Sequence, residues 1–141
     1  MSSVVYTFRA FPNISDLKRH FSHLFIFGKL KQDIESFCDH LLKVKPDFVI
    51  GVATTKTKSV FEPIAINNIH GHKVIATAPE KLLLHAPNRP DFPVSPKPSK
   101  SFCNYSMFKI QYFINQQQLP TKLIFVHLNP KDIPSLPKII K

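Results

Sequence analysis

The chain has few of the features that mark secreted, membrane or metal-binding proteins. Its 141 residues include only two cysteines, too few for a disulfide scaffold. No stretch approaches the roughly 20 apolar residues of a membrane-spanning helix, and the first residues lack the features of a secretory signal. Cysteine and histidine do not occur at paired zinc-ligand spacing, and His70 and His72 are interpreted as part of a turn. We therefore expect a cytoplasmic protein with no membrane partner, no metal and no cofactor.

The chain is strongly basic. Lys and Arg number 19 against 9 Asp and Glu, which gives a net charge of +10 and an isoelectric point near 9.8. Such a balance can indicate nucleic-acid binding. The lysines are scattered along the chain without long basic runs, as on an ordinary solvated surface. A basic nucleic-acid-binding module therefore stays as an alternative, and the solvated surface is the preferred interpretation.

The apolar pattern is typical of an α/β protein. Apolar residues make up 43% of the chain, enough for the core of a single domain over residues 1–141. Strands are predicted at residues 4–8, 24–27, 47–53 and 122–128, with weaker candidates at 61–67 and 73–77. Helices are predicted at residues 17–21, 30–44, 79–85 and 103–118. This alternation predicts a three-layer α/β/α sandwich with a mostly parallel central sheet, and five prolines in residues 86–99 predict a stiff surface loop.

Three residues stand out for their chemistry. Cys103 opens a predicted helix, His127 lies near the end of a predicted strand, and Glu62 lies in a weaker strand candidate. Taken singly, each is more often structural: a core thiol, a satisfied core histidine and a surface carboxylate. Together they match a cysteine hydrolase, in which the thiol attacks, the imidazole transfers the proton and the carboxylate orients the imidazole. A helix start is expected to lower the pKa of the thiol, and nearby backbone N–H groups would stabilise an oxyanion.

The segments around these residues resemble motifs of the pyroglutamyl-peptidase I family. The sequence EPIAIN at residues 62–67 resembles the family's E-R-V-A-I-N motif, and FCN at residues 102–104 resembles its F-x-C-N helix start. The sequence FVHLNP at residues 125–130 resembles its G-F-I-H-x-P strand end, and TFRAF at residues 7–11 resembles its T-G-F-x-P-F turn. The chain departs from the family at Pro63, where the family has an arginine after the acid.

The resemblance implies a cysteine peptidase that removes an N-terminal pyroglutamyl residue from a peptide. It implies Glu62, Cys103 and His127 as catalytic residues and Phe8, Phe11, Val52 and Phe102 as substrate-binding residues. The two aromatic residues of the N-terminal turn would hold the lactam ring by stacking, and the main chain near Val52 would form a hydrogen bond to it. A catalytically inactive or altered-specificity relative of the same fold is the alternative, and a homo-oligomer is left open.

Overall fold

The computed structural model describes residues 2–99 and 101–139. The elements in chain order are β1 (Ser3–Phe8), α1 (Ile14–His20), β2 (Leu24–Phe27), α2 (Leu30–Val44), β3 (Phe48–Thr54), β4 (Val60–Phe61), β5 (Ile64–Ile66), β6 (Lys81–Leu83), α3 (Phe102–Gln116) and β7 (Lys122–Leu128), followed by a 3-10 helix (Pro130–Lys138). No helix among these residues is long and apolar enough to cross a membrane.

The main sheet has five strands in the order β2-β1-β3-β7-β4. The first four strands are parallel, and the short edge strand β4 runs antiparallel to β7. The central strand β3 is a continuous apolar run because both of its faces are covered. In the register, Ala53 of β3 lies beside His127 of β7. This pairing places the carboxyl ends of β3 and β7 together at one edge of the sheet.

Helices cover both faces of the sheet. On one face, α2 and α3 pack their apolar side chains against β1 and β7, with Phe37 and Phe108 both fully buried. On the other face, α1 and the 3-10 helix bury Leu17 and Leu136 against the central strands. The three-layer α/β/α architecture with a mostly parallel sheet is therefore confirmed.

Two of the secondary-structure predictions are wrong. Residues 73–77 form turns instead of a strand, because the buried Asn67 side chain accepts from the Ile75 N–H at 2.9 Å and donates to the Ile75 and Ala78 carbonyls. Residues 79–85 contain β6 instead of a helix, because this segment pairs antiparallel with β5. In both places tertiary hydrogen bonding overrides the local preference.

The proline-rich segment, residues 86–99, is largely irregular and lies along the edge of the sheet. The Phe61 N–H donates to the Pro93 carbonyl at 2.9 Å, and the Phe61 carbonyl accepts from the Ser95 N–H at 2.8 Å. Phe92 is buried against the ring of Phe61. The segment therefore covers the open side of β4, which removes an exposed sheet edge, and it encloses the residues that follow β4.

Candidate functional site

The candidate site lies where the carboxyl ends of the parallel strands meet the start of α3. A cavity of about 250 Å³ opens there, lined by Phe8, Ala10, Phe11, Ala53, Thr54, Ser101, Phe102, Cys103 and His127. Parallel α/β sheets assemble binding sites at this edge because the loops after the strands converge on it. The fold therefore brings the thiol of Cys103 and the imidazole of His127 to the wall of one cavity.

Cys103 occupies the second position of α3 and is 4% exposed. Burial raises the pKa of its thiol to about 11, partly offset by a hydrogen bond with Ser101 and increased by the charge of Glu62. The predicted lowering of this pKa is therefore wrong, because the loss of hydration around the thiolate outweighs the field of the helix start. The Cys103 N–H, a predicted oxyanion donor, already donates to Ser101 Oγ at 3.2 Å.

His127 points from β7 toward the α3 side of the sheet. Its ring packs edge-on against Phe125, with the ring centroids 5.4 Å apart. Its side chain is 22% exposed, and burial lowers the pKa of the imidazole. The histidine is therefore neutral at physiological pH, which is the form that can accept a proton.

Glu62 directly follows β4 and is 2% exposed. Its N–H donates to the Phe125 carbonyl at 2.9 Å, which fixes the backbone beside β7. Its Oε1 lies 3.9 Å from His127 Nδ1, too far for a hydrogen bond. Its Oε2 has no hydrogen-bond partner among the described residues, and burial raises the pKa of the carboxyl. The Glu62 carboxyl therefore lies next to the His127 imidazole without a direct hydrogen bond to it.

The aromatic residues implied by the resemblance surround the cavity. Phe8 and Phe11 are buried in its wall, whereas Phe102 is 46% exposed at its rim. Phe8 and Phe102 pack edge to face with ring centroids 4.7 Å apart. Val52 is fully buried, lies outside the lining, and its carbonyl accepts a hydrogen bond from Thr7 Oγ1 at 2.7 Å. That carbonyl therefore already has a partner within the protein.

Asn104 is a supporting residue to which the sequence analysis gave no role. Its side chain is fully buried. It accepts a hydrogen bond from the Ile66 N–H at 2.8 Å and donates to the carbonyls of Ile66 and Asn68. These bonds fix the first turn of α3, and with it Cys103, against the segment that follows Glu62. The helix also carries Gln111, Asn115 and Gln116, so the sequence does not single out Asn104, and its role follows from its buried hydrogen bonds.

A second buried chain of hydrogen bonds also reaches the start of α3. Ser106 Oγ donates to the Cys103 carbonyl at 2.7 Å and lies 2.9 Å from the Tyr6 hydroxyl. Because the serine proton is already used, the tyrosine is the donor in the second bond. Gly51 makes room for this tyrosine, since a Cβ there would lie 2.6 Å from its hydroxyl oxygen. These hydrogen bonds tie the backbone of Cys103 to the central sheet.

The cavity therefore combines a thiol, a neutral imidazole, a nearby buried carboxyl and apolar walls. This combination suits acyl transfer from a compact, uncharged acyl group. Among residues 2–99 and 101–139, no group of three or more His, Cys, Asp or Glu side chains is arranged to hold a metal ion.

Comparison with known proteins identifies the fold. No protein-family model and no curated protein sequence matches the chain. Pyrrolidone carboxyl peptidase from Thermococcus litoralis superposes with a TM-score of 0.71 at 21% identity, covering 93% of this chain and 79% of that one. Pyroglutamyl peptidase I from Bacillus amyloliquefaciens superposes with a TM-score of 0.72 at 15% identity, covering 99% and 91%. The E192D mutant pyrrolidone carboxyl peptidase from Pyrococcus furiosus gives 0.67 at 18% identity, covering 98% and 86%. The chain therefore has the α/β fold of pyroglutamyl peptidase I.

Proposed function

We propose that the chain is a cysteine-type omega-peptidase that removes an N-terminal pyroglutamyl residue from peptides. The observation that carries the proposal is that Cys103 and His127 line the same cavity, whose other walls include Phe8 and Phe11. The fold, shared with pyrrolidone carboxyl peptidases, supports it. The peptide is the substrate, and the proposed reaction needs no metal or organic cofactor.

In this proposal the buried thiol reacts by general-base catalysis. As Cys103 Sγ attacks the pyroglutamyl carbonyl, His127 takes the thiol proton and a tetrahedral intermediate forms. The C–N bond then breaks, His127 returns the proton to the leaving amine, and a thioester remains. Water, deprotonated by His127, attacks the thioester, and pyroglutamate leaves as the thiol is regenerated. Glu62 steadies the imidazolium through its proximity to Nδ1.

The cavity suits a pyroglutamyl ring in size and polarity. The lactam is small and uncharged, and the cavity of about 250 Å³ is mostly apolar. Contact with each aromatic wall would contribute on the order of 1 kcal/mol beyond the burial of apolar area. Ser101 and Thr54 supply hydroxyl groups at the lining, which can form hydrogen bonds with the lactam or the developing oxyanion.

One observation favours a second candidate, a catalytically inactive or altered-specificity relative. His127 Nδ1 and Glu62 Oε1 are 3.9 Å apart, and no hydrogen bond joins Cys103 to His127 among the described residues. In this candidate the cavity binds a blocked peptide end, or a related small acyl group, with little or no cleavage.

The experiment is hydrolysis of pyroglutamyl-aminomethylcoumarin by the wild type, Cys103→Ala and Cys38→Ala proteins. Cys38 is the matched control because it is also buried, in α2, away from the cavity. The proposal expects turnover by the wild type and Cys38→Ala proteins and loss of turnover in Cys103→Ala. Absence of wild-type turnover, or turnover that survives Cys103→Ala, contradicts it.

A matched pair of substrates separates the peptidase from an altered-specificity relative. The prolyl amide has the same five-membered ring as the pyroglutamyl amide but lacks the lactam carbonyl and carries a charged ring nitrogen. A pyroglutamyl peptidase prefers the lactam because a charge is costly in an apolar cavity. Preference for another acyl group supports the second candidate.

A further inference from the structure

A second cavity adjoins the candidate site and extends away from Cys103. It has a volume of about 460 Å³ and is lined by Phe8, Arg9, Ala10, Phe27, Gly28, Leu30 and Phe102. Three of these residues, Phe8, Ala10 and Phe102, also line the first cavity. The two cavities therefore lie side by side, with the edge-to-face pair of Phe8 and Phe102 in the lining of both.

Arg9 is the charged residue in the lining of this second cavity. Its guanidinium lies over Gly28. Its backbone is fixed by an N–H donated to the Phe27 carbonyl at 3.0 Å. A Cβ at position 28 would clash with Arg9 Nη2 and lie 3.0 Å from Cζ. Gly28 does not have a positive φ, so glycine serves here to admit the guanidinium and not to allow an unusual backbone conformation.

The guanidinium has no partner among the described residues. No ion pair within 4.0 Å involves Arg9, and no hydrogen bond of its side chain is found there. Asp33, which follows Gly28 by five residues, is already engaged: its Oδ2 accepts the N–H groups of Gly28 and Lys29 at 2.7 and 2.9 Å. The cavity therefore holds an exposed cation whose donors are open to a ligand.

We propose that this second cavity binds the part of the peptide that follows the scissile bond, and that Arg9 binds a carboxylate there. The inference rests on the proposed function, since that function places the scissile bond at Cys103. With pyroglutamate bound in the first cavity, the rest of the peptide would extend past Phe102 into the second cavity. A guanidinium binds a carboxylate through paired N–H donors. The carboxylate is either an Asp or Glu side chain or the C-terminus of a short peptide.

The test compares kcat/KM for peptides that differ only in that carboxylate. One pair is pyroglutamyl-Ala-Glu-amide and pyroglutamyl-Ala-Gln-amide, and the other is pyroglutamyl-Ala-Ala with a free or an amidated C-terminus. The wild type is expected to prefer the charged member of one pair by about fivefold at low salt, less at high salt, because the ion pair is solvent-exposed. The pair that shows the preference identifies the source of the carboxylate.

Three variants assign the preference to Arg9. Arg9→Gln is expected to remove it, and Gly28→Ala is expected to weaken it by displacing the guanidinium while keeping the charge. Lys29→Gln is the matched control, because it removes a neighbouring positive charge outside the lining, and it is expected to keep the preference. A preference that survives Arg9→Gln, or that Lys29→Gln removes equally, overturns the role of Arg9.

The test separates failure of the carboxylate site in the second cavity from failure of the proposed peptidase activity. Equal cleavage of charged and neutral peptides by the wild type overturns the carboxylate site and leaves the peptidase intact. If no peptide is cleaved, the peptidase proposal fails, and binding of the same four peptides to the wild type is measured by calorimetry. Charge-selective binding that depends on Arg9 then supports the carboxylate site in the second cavity. Binding without charge selectivity, or no binding, overturns the carboxylate site as well as the peptidase proposal.

Discussion

The Cys103 thiol is expected to stay protonated up to strongly alkaline pH. Burial raises its pKa from an ordinary value of 9.0 to about 11, and the difference corresponds to about 3 kcal/mol against the thiolate. At pH 7.5 the thiolate fraction is then on the order of 0.03%, about 100-fold below that of an unperturbed thiol. In the proposed reaction, His127 must therefore remove the Cys103 proton during attack.

Alkylation by iodoacetamide measures this thiolate fraction directly, because only the thiolate reacts. The Cys38→Ala protein leaves Cys103 as the remaining cysteine, and the rate of adduct formation is followed by mass spectrometry from pH 6 to 10. The rate is expected to rise about tenfold per pH unit without a plateau. The Cys103→Ala protein is the control, in which Cys38, whose pKa burial raises to about 12, reacts more slowly still.

A plateau near neutral pH would refute the reasoning. It would mean that Cys103 and His127 already form a thiolate–imidazolium pair, as in cysteine peptidases with a strongly lowered thiol pKa. In that case His127→Gln would abolish the plateau. If the thiol is neutral, the same substitution leaves the pH dependence of alkylation nearly unchanged, although it removes turnover.

Four further outcomes are expected. Initial rates should give a kcat/KM that rises with pH through a pKa below 6.5, because burial lowers the pKa of His127 and only the neutral imidazole is a base. A kcat/KM that rises instead through a pKa above 6.5 would contradict this. Glu62→Gln should raise the free energy of unfolding by about 1 kcal/mol at pH 7.5, since it removes a buried carboxylate with an unpartnered Oε2. Urea denaturation should show this gain shrinking as the pH falls through the raised Glu62 pKa, because the protonated acid carries no buried charge; a gain independent of pH would argue against it. Gly51→Ala should cost about 1–3 kcal/mol, because its Cβ would meet the Tyr6 ring at 2.5 Å, and an unchanged melting temperature would exclude that contact. Asn104→Ala should cost at least about 2 kcal/mol, since three hydrogen bonds are lost and buried backbone groups are left unpaired; thermal unfolding within 0.5 kcal/mol of wild type, the size of an ordinary surface change, would rule this out.

The sequence by itself determined the layered architecture and most of its elements. The strands at residues 24–27 and 122–128 and the helix at residues 30–44 agree with the structure at both ends. In these segments the local preference and the burial of the apolar residues agree. Motif resemblance also selected Cys103 and His127, which the fold brings to one cavity.

The tertiary structure alone decided the properties that depend on distant neighbours. The hairpin of β5 and β6 exists because the two segments pair with each other, although the local pattern of residues 79–85 favoured a helix. The direction of the Cys103 pKa shift follows from burial, which a helix start does not reveal. Arg9 lies over Gly28 because the two residues follow β1 and β2, which are neighbouring strands of the sheet. Hydration, pairing and close approach are set by what surrounds a residue in space, and a linear pattern carries that information only where the neighbours are also near in sequence.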